Sequence, residues 1–232
     1  MNILENSIVV ESKELVKTYK QGAKIEVRAV RSVSLEVKRG EFTAIVGPSG
    51  SGKTTLLNLL GALDMPTSGR VLVDGFDITA MNRTERSALR RDKIGFVFQS
   101  YNLVPVLTAF ENAEVVLALQ GVDVEERRKT VMSLLKEVGL EGYEHRRPNQ
   151  LSGGQQQRVA IARAIAAQPS VILADEPTAN VDSETADLLL KIMEKMNSDH
   201  GATFIFSTHD PRVIKRAHRV ITLVDGNIES DR

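Results

Sequence analysis

The chain has 232 residues, 42% of them hydrophobic and 26% charged, enough to bury a sizeable core as one large domain or two small ones. Thirty basic residues balance thirty acidic ones, so no global field draws the chain onto nucleic acid or an anionic membrane. Cysteine is absent, which excludes disulfides and thiolate chemistry and fits a reducing compartment.

The first ten residues, MNILENSIVV, carry an early glutamate and only a short apolar run, so no secretory signal is expected. No apolar stretch approaches the roughly 20 residues that a spanning helix needs. SIVVESKELVKTY and EVRAVRSVSLEVKRGEFTAIVG are rich in β-branched residues and are broken by KQGAK and KRGE, which predicts strands and hairpins. The last of them, FTAIV (42–46), runs into a glycine loop, and KTTLLNLLGAL then shows leucines at helical spacing. PTSG predicts a turn, RVLVDG a short strand, and TERSALRRD a short helix capped by Thr84.

IGFVFQ (94–99) reads as an apolar strand, followed by helical spacing from 108 to about 147 with breaks at QGVDV and VGLEGY. Those breaks predict a small helical subdomain. After LSGGQ come an alanine-rich helix, the strand VILAD (171–175), a helix near 183–196 and the strand TFIFST. A short helix and RVITLVDGNIE, with its DGN turn, complete the pattern. Alternating strands and helices from residue 41 predict an α/β fold with a parallel sheet covered on both faces and an antiparallel patch beside it. The basic runs RRDK (90–93) and ERRK (126–129) each have acids nearby and read as solvated helix faces. Without repeats or a flexible linker, the chain reads as one domain of two lobes, 1–98 with 168–232 and the intervening 99–167.

GPSGSGKTT (47–55) matches the phosphate-loop pattern G-x-x-x-x-G-K-[ST] at Gly47, Gly52, Lys53 and Thr54, between a buried strand and a helix. In a loop of Gly47, Pro48, Ser49, Gly50, Ser51 and Gly52, successive N–H groups can converge on phosphate oxygens, aided by the positive start of the helix. Lys53 would reach the β- and γ-phosphates, Thr54 would hold Mg²⁺, and Thr55 continues the cradle. VILADEP sets Asp175 and Glu176 at a strand end, the first a candidate metal ligand and the second a candidate base for an attacking water. LSGGQQQRVAIARA (151–164) then poses a puzzle. It places Ser152, Gly153 and Gly154 ahead of a helical pattern, a second phosphate cradle in a chain that already has one.

A phosphate loop, LSGGQ, LADEP and a histidine after the next strand, in this order, resemble the nucleotide-binding subunit of an ABC transporter over essentially the whole chain. The resemblance implies a P-loop ATPase core with an antiparallel β patch and a helical subdomain, using ATP and Mg²⁺. It implies that Gln99 senses the metal and water and marks where a membrane subunit docks. It likewise implies that His209 supports Glu176 at the γ-phosphate, that Asp182 is the aspartate of the loop after the base, and that Tyr19 stacks on adenine. The family more often has leucine where Val181 stands. Two copies would close head to tail, with Ser152, Gly153, Gly154 and Gln155 of one chain covering the ATP on the other.

RRDKIGFVFQSYNLVPVLTAFENAE, PNQLSGGQQQRVAIARA and LADEPTANVD are similar to the branch of lipoprotein-release (LolD-like), macrolide-export (MacB-like) and cell-division (FtsE) ATPases. The implied partners are a second copy and an integral membrane permease, with the chain on the cytoplasmic face of the inner membrane and no nucleic acid bound. A solute importer's ATPase, or a soluble ABC ATPase acting on nucleic acid or ribosomes, are the alternatives at this stage.

Overall fold

The computed structural model describes residues 7–21 and 25–232, so the first six residues and most of the KQGAK break lie outside it. In chain order, β1 (Ile8–Gln21), β2 (Ile25–Lys38) and β3 (Phe42–Val46) lead to α1 (Lys53–Leu60). β4 (Ser68–Val73), β5 (Phe76–Asp77), α2 (Arg83–Lys93) and β6 (Ile94–Phe98) follow. Three helices come next, α3 (Ala109–Leu119), α4 (Val124–Glu137) and α5 (Gly153–Ala166). The chain ends through β7 (Val171–Asp175), α6 (Ser183–His200), β8 (Phe204–Ser207), α7 (Pro211–Arg216), β9 (Arg219–Val224) and β10 (Asn227–Asp231).

Among the described residues the strands form two sheets. One is antiparallel, in the order β2-β1-β4-β5; the other runs β10-β9-β3-β8-β7-β6, parallel except for the edge hairpin of β9 and β10. The hairpin turns at Asp225 and Gly226, both at positive φ (46° and 79°), as expected from its DGN sequence. β3, β7 and β8 are buried on both faces, which is why they read as unbroken apolar runs rather than alternating ones.

Side chains on successive strand residues point to opposite faces, and that alternation divides the core. Phe42, Phe204 and Phe206 face α5 and α6, where they join Ile161, Leu189 and Met193. Their rings sit 4.6–5.6 Å apart, so Phe206→Ala would cost about 3–5 kcal/mol. Ile45, Leu173 and Ile205 face the other way, onto Leu56, Leu59 and Leu60 of α1 and Val10, Leu15 and Val71 of the antiparallel sheet. The antiparallel sheet thus covers α1 from outside and fixes the helix that follows the phosphate loop.

Several local expectations are corrected. Asn82, not Thr84, caps α2: its side chain accepts from Thr84 N–H (2.9 Å) and Glu85 N–H (3.1 Å), and Glu85 returns a carboxylate oxygen to Asn82 N–H (2.7 Å). α1 stops at Leu60, with Gly61 as its C-cap and Ala62 turning the chain out of the helix at positive φ (55°). The helical spacing from 108 resolves into α3 and α4 and ends at Glu137, where Gly139 and Gly142 adopt positive φ. The basic runs are more than solvated faces: Lys93 pairs with Asp74 at 2.8 Å and Arg127 with Glu114 at 3.0 Å, each joining separate elements.

Candidate functional site

Sheet register builds the site. Phe98, Asp175, Ser207 and Ile45 lie side by side across β6, β7, β8 and β3. Gln99, Glu176 and Thr208 therefore leave the sheet at one carboxyl edge, where open α/β sheets place their ligands, and Gly47 follows one residue later from the end of β3. The motifs converge through this single row.

After β3, Gly47 (φ 151°), Gly50 (79°) and Gly52 (102°) give the loop a path that side-chain-bearing residues resist. Gly47 and Gly52 are also tightly seated, since a Cβ would lie 2.0 Å from Leu223 O and 2.1 Å from Ala29 O. Lys53, the first residue of α1, is buried and folds back so that Nζ donates to Gly47 O (2.8 Å) and Pro48 O (3.0 Å). A cavity of about 510 Å³ opens here, lined by Gly50, Lys53, Thr54, Gln99, Glu176 and His209 among others. A larger hollow of about 820 Å³ beside α4, lined by Lys129, Glu137 and His200 among others, contains none of the candidate site residues.

Thr54 Oγ1 donates to Asp175 Oδ1 at 3.1 Å. Burial pushes the Asp175 carboxyl upward and the neighbouring Glu176 charge adds to this, while the Thr54 hydroxyl opposes it. A half-buried carboxylate beside a hydroxyl, facing the phosphate loop, is a hard-oxygen donor set that fits Mg²⁺, which needs only one or two protein oxygens plus phosphates.

Glu176 stands in the left-handed region (φ 44°), a conformation costing about 1–3 kcal/mol in a non-glycine residue. Three bonds hold it there. Its N–H donates to Ser207 O (2.8 Å), Thr208 Oγ1 donates to Oε2 (3.0 Å), and His209 Nδ1 lies 2.6 Å from Oε1. Thr208 is fully buried, whereas the His209 side chain is 74% exposed where it lines the cavity. Asp210 steadies this turn by accepting from Thr178 Oγ1 (2.7 Å) and the Arg212 guanidinium (2.8 Å). Against the upward push of burial, these bonds hold its carboxyl at about 2.

Gln99 lines the cavity and pairs with Asn180: Gln99 Nε2 donates to Asn180 Oδ1 (3.4 Å), and Asn180 Nδ2 donates to Gln99 O (3.0 Å). Tyr19 does not line the cavity. Its hydroxyl donates to Asp64 Oδ2 (2.8 Å), and Lys17 Nζ, itself paired with Asp64, lies 4.8 Å from the ring centroid. Asp182 caps α6, accepting from Thr185 N–H (2.9 Å) and Thr185 Oγ1 (2.7 Å).

Ser152 is the exposed N-cap of α5. Its hydroxyl accepts from Gln155 N–H (3.3 Å), and Gln155 Oε1 accepts from Ser152 N–H (2.8 Å). Ser152, Gly153, Gly154 and Gln155 do not line the cavity of their own chain. Sequence reasoning missed Thr208, Asn180 and Tyr101. Each sits within or beside a recognised motif, but no spacing rule says which distant atom its polar group meets.

The ABC transporter family model matches residues 30–179. The chain is 47% identical over 227 residues to an uncharacterized ABC transporter ATP-binding protein of Methanocaldococcus jannaschii, covering 96% of each. It is 48% identical over 207 residues to the ABC transporter ATP-binding protein YtrE of Bacillus subtilis, covering 89% of this chain and 90% of that one. With the macrolide export ATP-binding/permease protein MacB of Syntrophobacter fumaroxidans it shares 46% identity over 225 residues, 96% of this chain but 31% of that longer protein. A solved dimeric ATP-binding cassette in a post-hydrolysis state, bound to ADP and Pi, superposes with a TM-score of 0.89 at 46% identity, covering 96% of this chain and 97% of that one.

Proposed function

The chain belongs to the ABC transporter family, and from that premise we propose that two copies form the ATP-hydrolysing engine of a membrane export complex of the lipoprotein-release or macrolide-export type. Its likeness to MacB, where a cassette of this kind is joined to a permease, favours this over a solute importer. No helix among the described residues is long and apolar enough to cross a membrane. In this reading an integral permease holds the chain at the cytoplasmic membrane face. Neutral net charge disfavours the nucleic-acid reading.

In this reading residues 47–55 cradle the phosphates of ATP, and Lys53 exchanges the Gly47 and Pro48 carbonyls for β- and γ-phosphate oxygens. Thr54, Asp175 and Gln99 would hold Mg²⁺, which neutralises phosphate charge. Glu176 accepts a proton from water as the water oxygen attacks the γ-phosphorus and the bond to the ADP oxygen breaks. His209, already against Glu176, turns to the γ-phosphate. Tyr19, which lies outside the phosphate cavity, would stack on an adenine that extends beyond it, and Asp182 would meet the second copy. That copy's Ser152, Gly153, Gly154 and Gln155 complete the site, so losing the γ-phosphate loosens the dimer.

The observation that carries this reading is the strand-end row, which sets Gln99, Glu176 and Thr208–His209 around the phosphate loop. Glu176→Gln tests it. The variant should form ATP-dependent dimers that no longer turn over, and wild-type hydrolysis by the variant would remove Glu176 from its role.

A further inference from the structure

The turn after Gln99 is held more firmly than a loop requires. Tyr101 (φ 60°) and Asn102 (φ 48°) both lie in the left-handed region, and neither is glycine. Their carbonyls are gripped by one guanidinium, that of Arg163 on α5, at 2.9 Å to Tyr101 O and 2.6 Å to Asn102 O. The Tyr101 hydroxyl then donates to Asn180 O at 3.1 Å. Asn180 is the residue whose side-chain amide makes both bonds to Gln99. At the start of α5 an added Cβ on Gly153 would lie only 2.7 Å from that same hydroxyl.

The contacts close a loop. α5 carries Gly153 at its start and Arg163 near its end, and both touch Tyr101; Tyr101 fixes Asn180, and Asn180 fixes Gln99. We infer that Tyr101, with Arg163 and Asn180, is a positioning residue for Gln99, so that the placement of α5 against the rest of the chain sets where the Gln99 amide stands in the nucleotide cavity. The inference rests on the role proposed for Gln99 in that cavity.

The test combines exchange with kinetics. Tyr101→Phe keeps the ring and removes one oxygen, so the fold should survive. In nucleotide-free protein, hydrogen–deuterium exchange over residues 99–103 should accelerate in Tyr101→Phe, with α6 unchanged. In steady-state ATP hydrolysis, Tyr101→Phe should lower kcat roughly fivefold, the effect of one neutral hydrogen bond, with little change in KM. The same substitution in a Gln99→Ala background should have almost no further effect, because the residue through which it acts is gone. Equal losses in both backgrounds, or unchanged exchange over 99–103, would overturn the inference. If Gln99→Ala alone hydrolyses ATP normally, the failure lies instead in the role given to Gln99.

Discussion

The hydroxyl of Thr208 donates to Glu176 Oε2 at 3.0 Å while accepting the backbone N–H of Asp210, also at 3.0 Å. A carboxylate oxygen only accepts, so the single hydroxyl hydrogen goes to the glutamate, while the Asp210 N–H fixes the hydroxyl from its acceptor side. One oxygen of the proposed base is thus pinned by a buried group, leaving the other to His209 and the incoming water.

Thr208→Val keeps the shape and deletes that bond, so Glu176 should lose its fixed orientation. Hydrolysis is expected to fall about tenfold in kcat, as for one hydrogen bond to a charged group, with ATP affinity unchanged. Thr208→Ser should restore most of the rate. A Ser variant as slow as the Val variant would assign the defect to packing.

The phosphate loop separates two costs of replacing glycine. Gly50 has φ 79° with open space beside it, so Gly50→Ala should lose about 1–2 kcal/mol for the left-handed backbone alone. Gly52 has φ 102° and would push a Cβ to 2.1 Å from Ala29 O, a backbone atom that cannot swing aside. Gly52→Ala should lose at least about 3 kcal/mol. Urea unfolding without nucleotide measures both, and equal losses would refute the seating argument.

Asp210 supplies a pH-dependent contribution. Its carboxyl sits at about 2 against an ordinary 3.8, so the folded form favours the charge. The stabilisation is therefore complete above about pH 4 and is lost as pH falls from there toward 2. Asp210→Asn should be less stable at pH 7 by on the order of 1–2 kcal/mol after solvent screening. The two proteins should converge near pH 2 in urea titrations, and a gap independent of pH would exclude Asp210 as the source.

Mixed dimers address the second cradle. A Lys53→Ala chain paired with a Ser152→Ala chain retains one complete site if Ser152 serves the other chain's ATP, and none if it serves its own. Occlusion of nucleotide by the mixture, absent from either variant alone, is the expected result. Neither variant nor mixture trapping nucleotide would place Ser152 on its own chain's phosphate.

The phosphate loop and the LADEP carboxylates were legible in the sequence because chemistry there depends on residues adjacent along the chain. The β3-to-β8 framework was also legible, since doubly buried strands leave apolar runs such as FTAIV and VILAD. Thr84 and Asn82 suit the same cap role two residues apart, and only the bonds to Thr84 N–H and Glu85 N–H decide for Asn82. The Gln99–Asn180 and Arg163–Tyr101 contacts join residues 81 and 62 positions apart. Their left-handed turn uses tyrosine and asparagine where glycine would have announced it, so no local pattern exposes them.

The start of α5 has a use that does not involve phosphate at all. A methyl group on Gly153 would strike the Tyr101 hydroxyl at 2.7 Å, and one on Gly154 would lie 2.3 Å from Cγ2 of Thr185, the residue that Asp182 caps. The two glycines act as spacers of fixed thickness between three stretches remote in sequence, like shims in a joint machined to close tolerance. Bulk added at either glycine would press on the Tyr101 turn or the first turn of α6 before a second chain arrived, so a substitution there disturbs alignment within one subunit as well as contact between two.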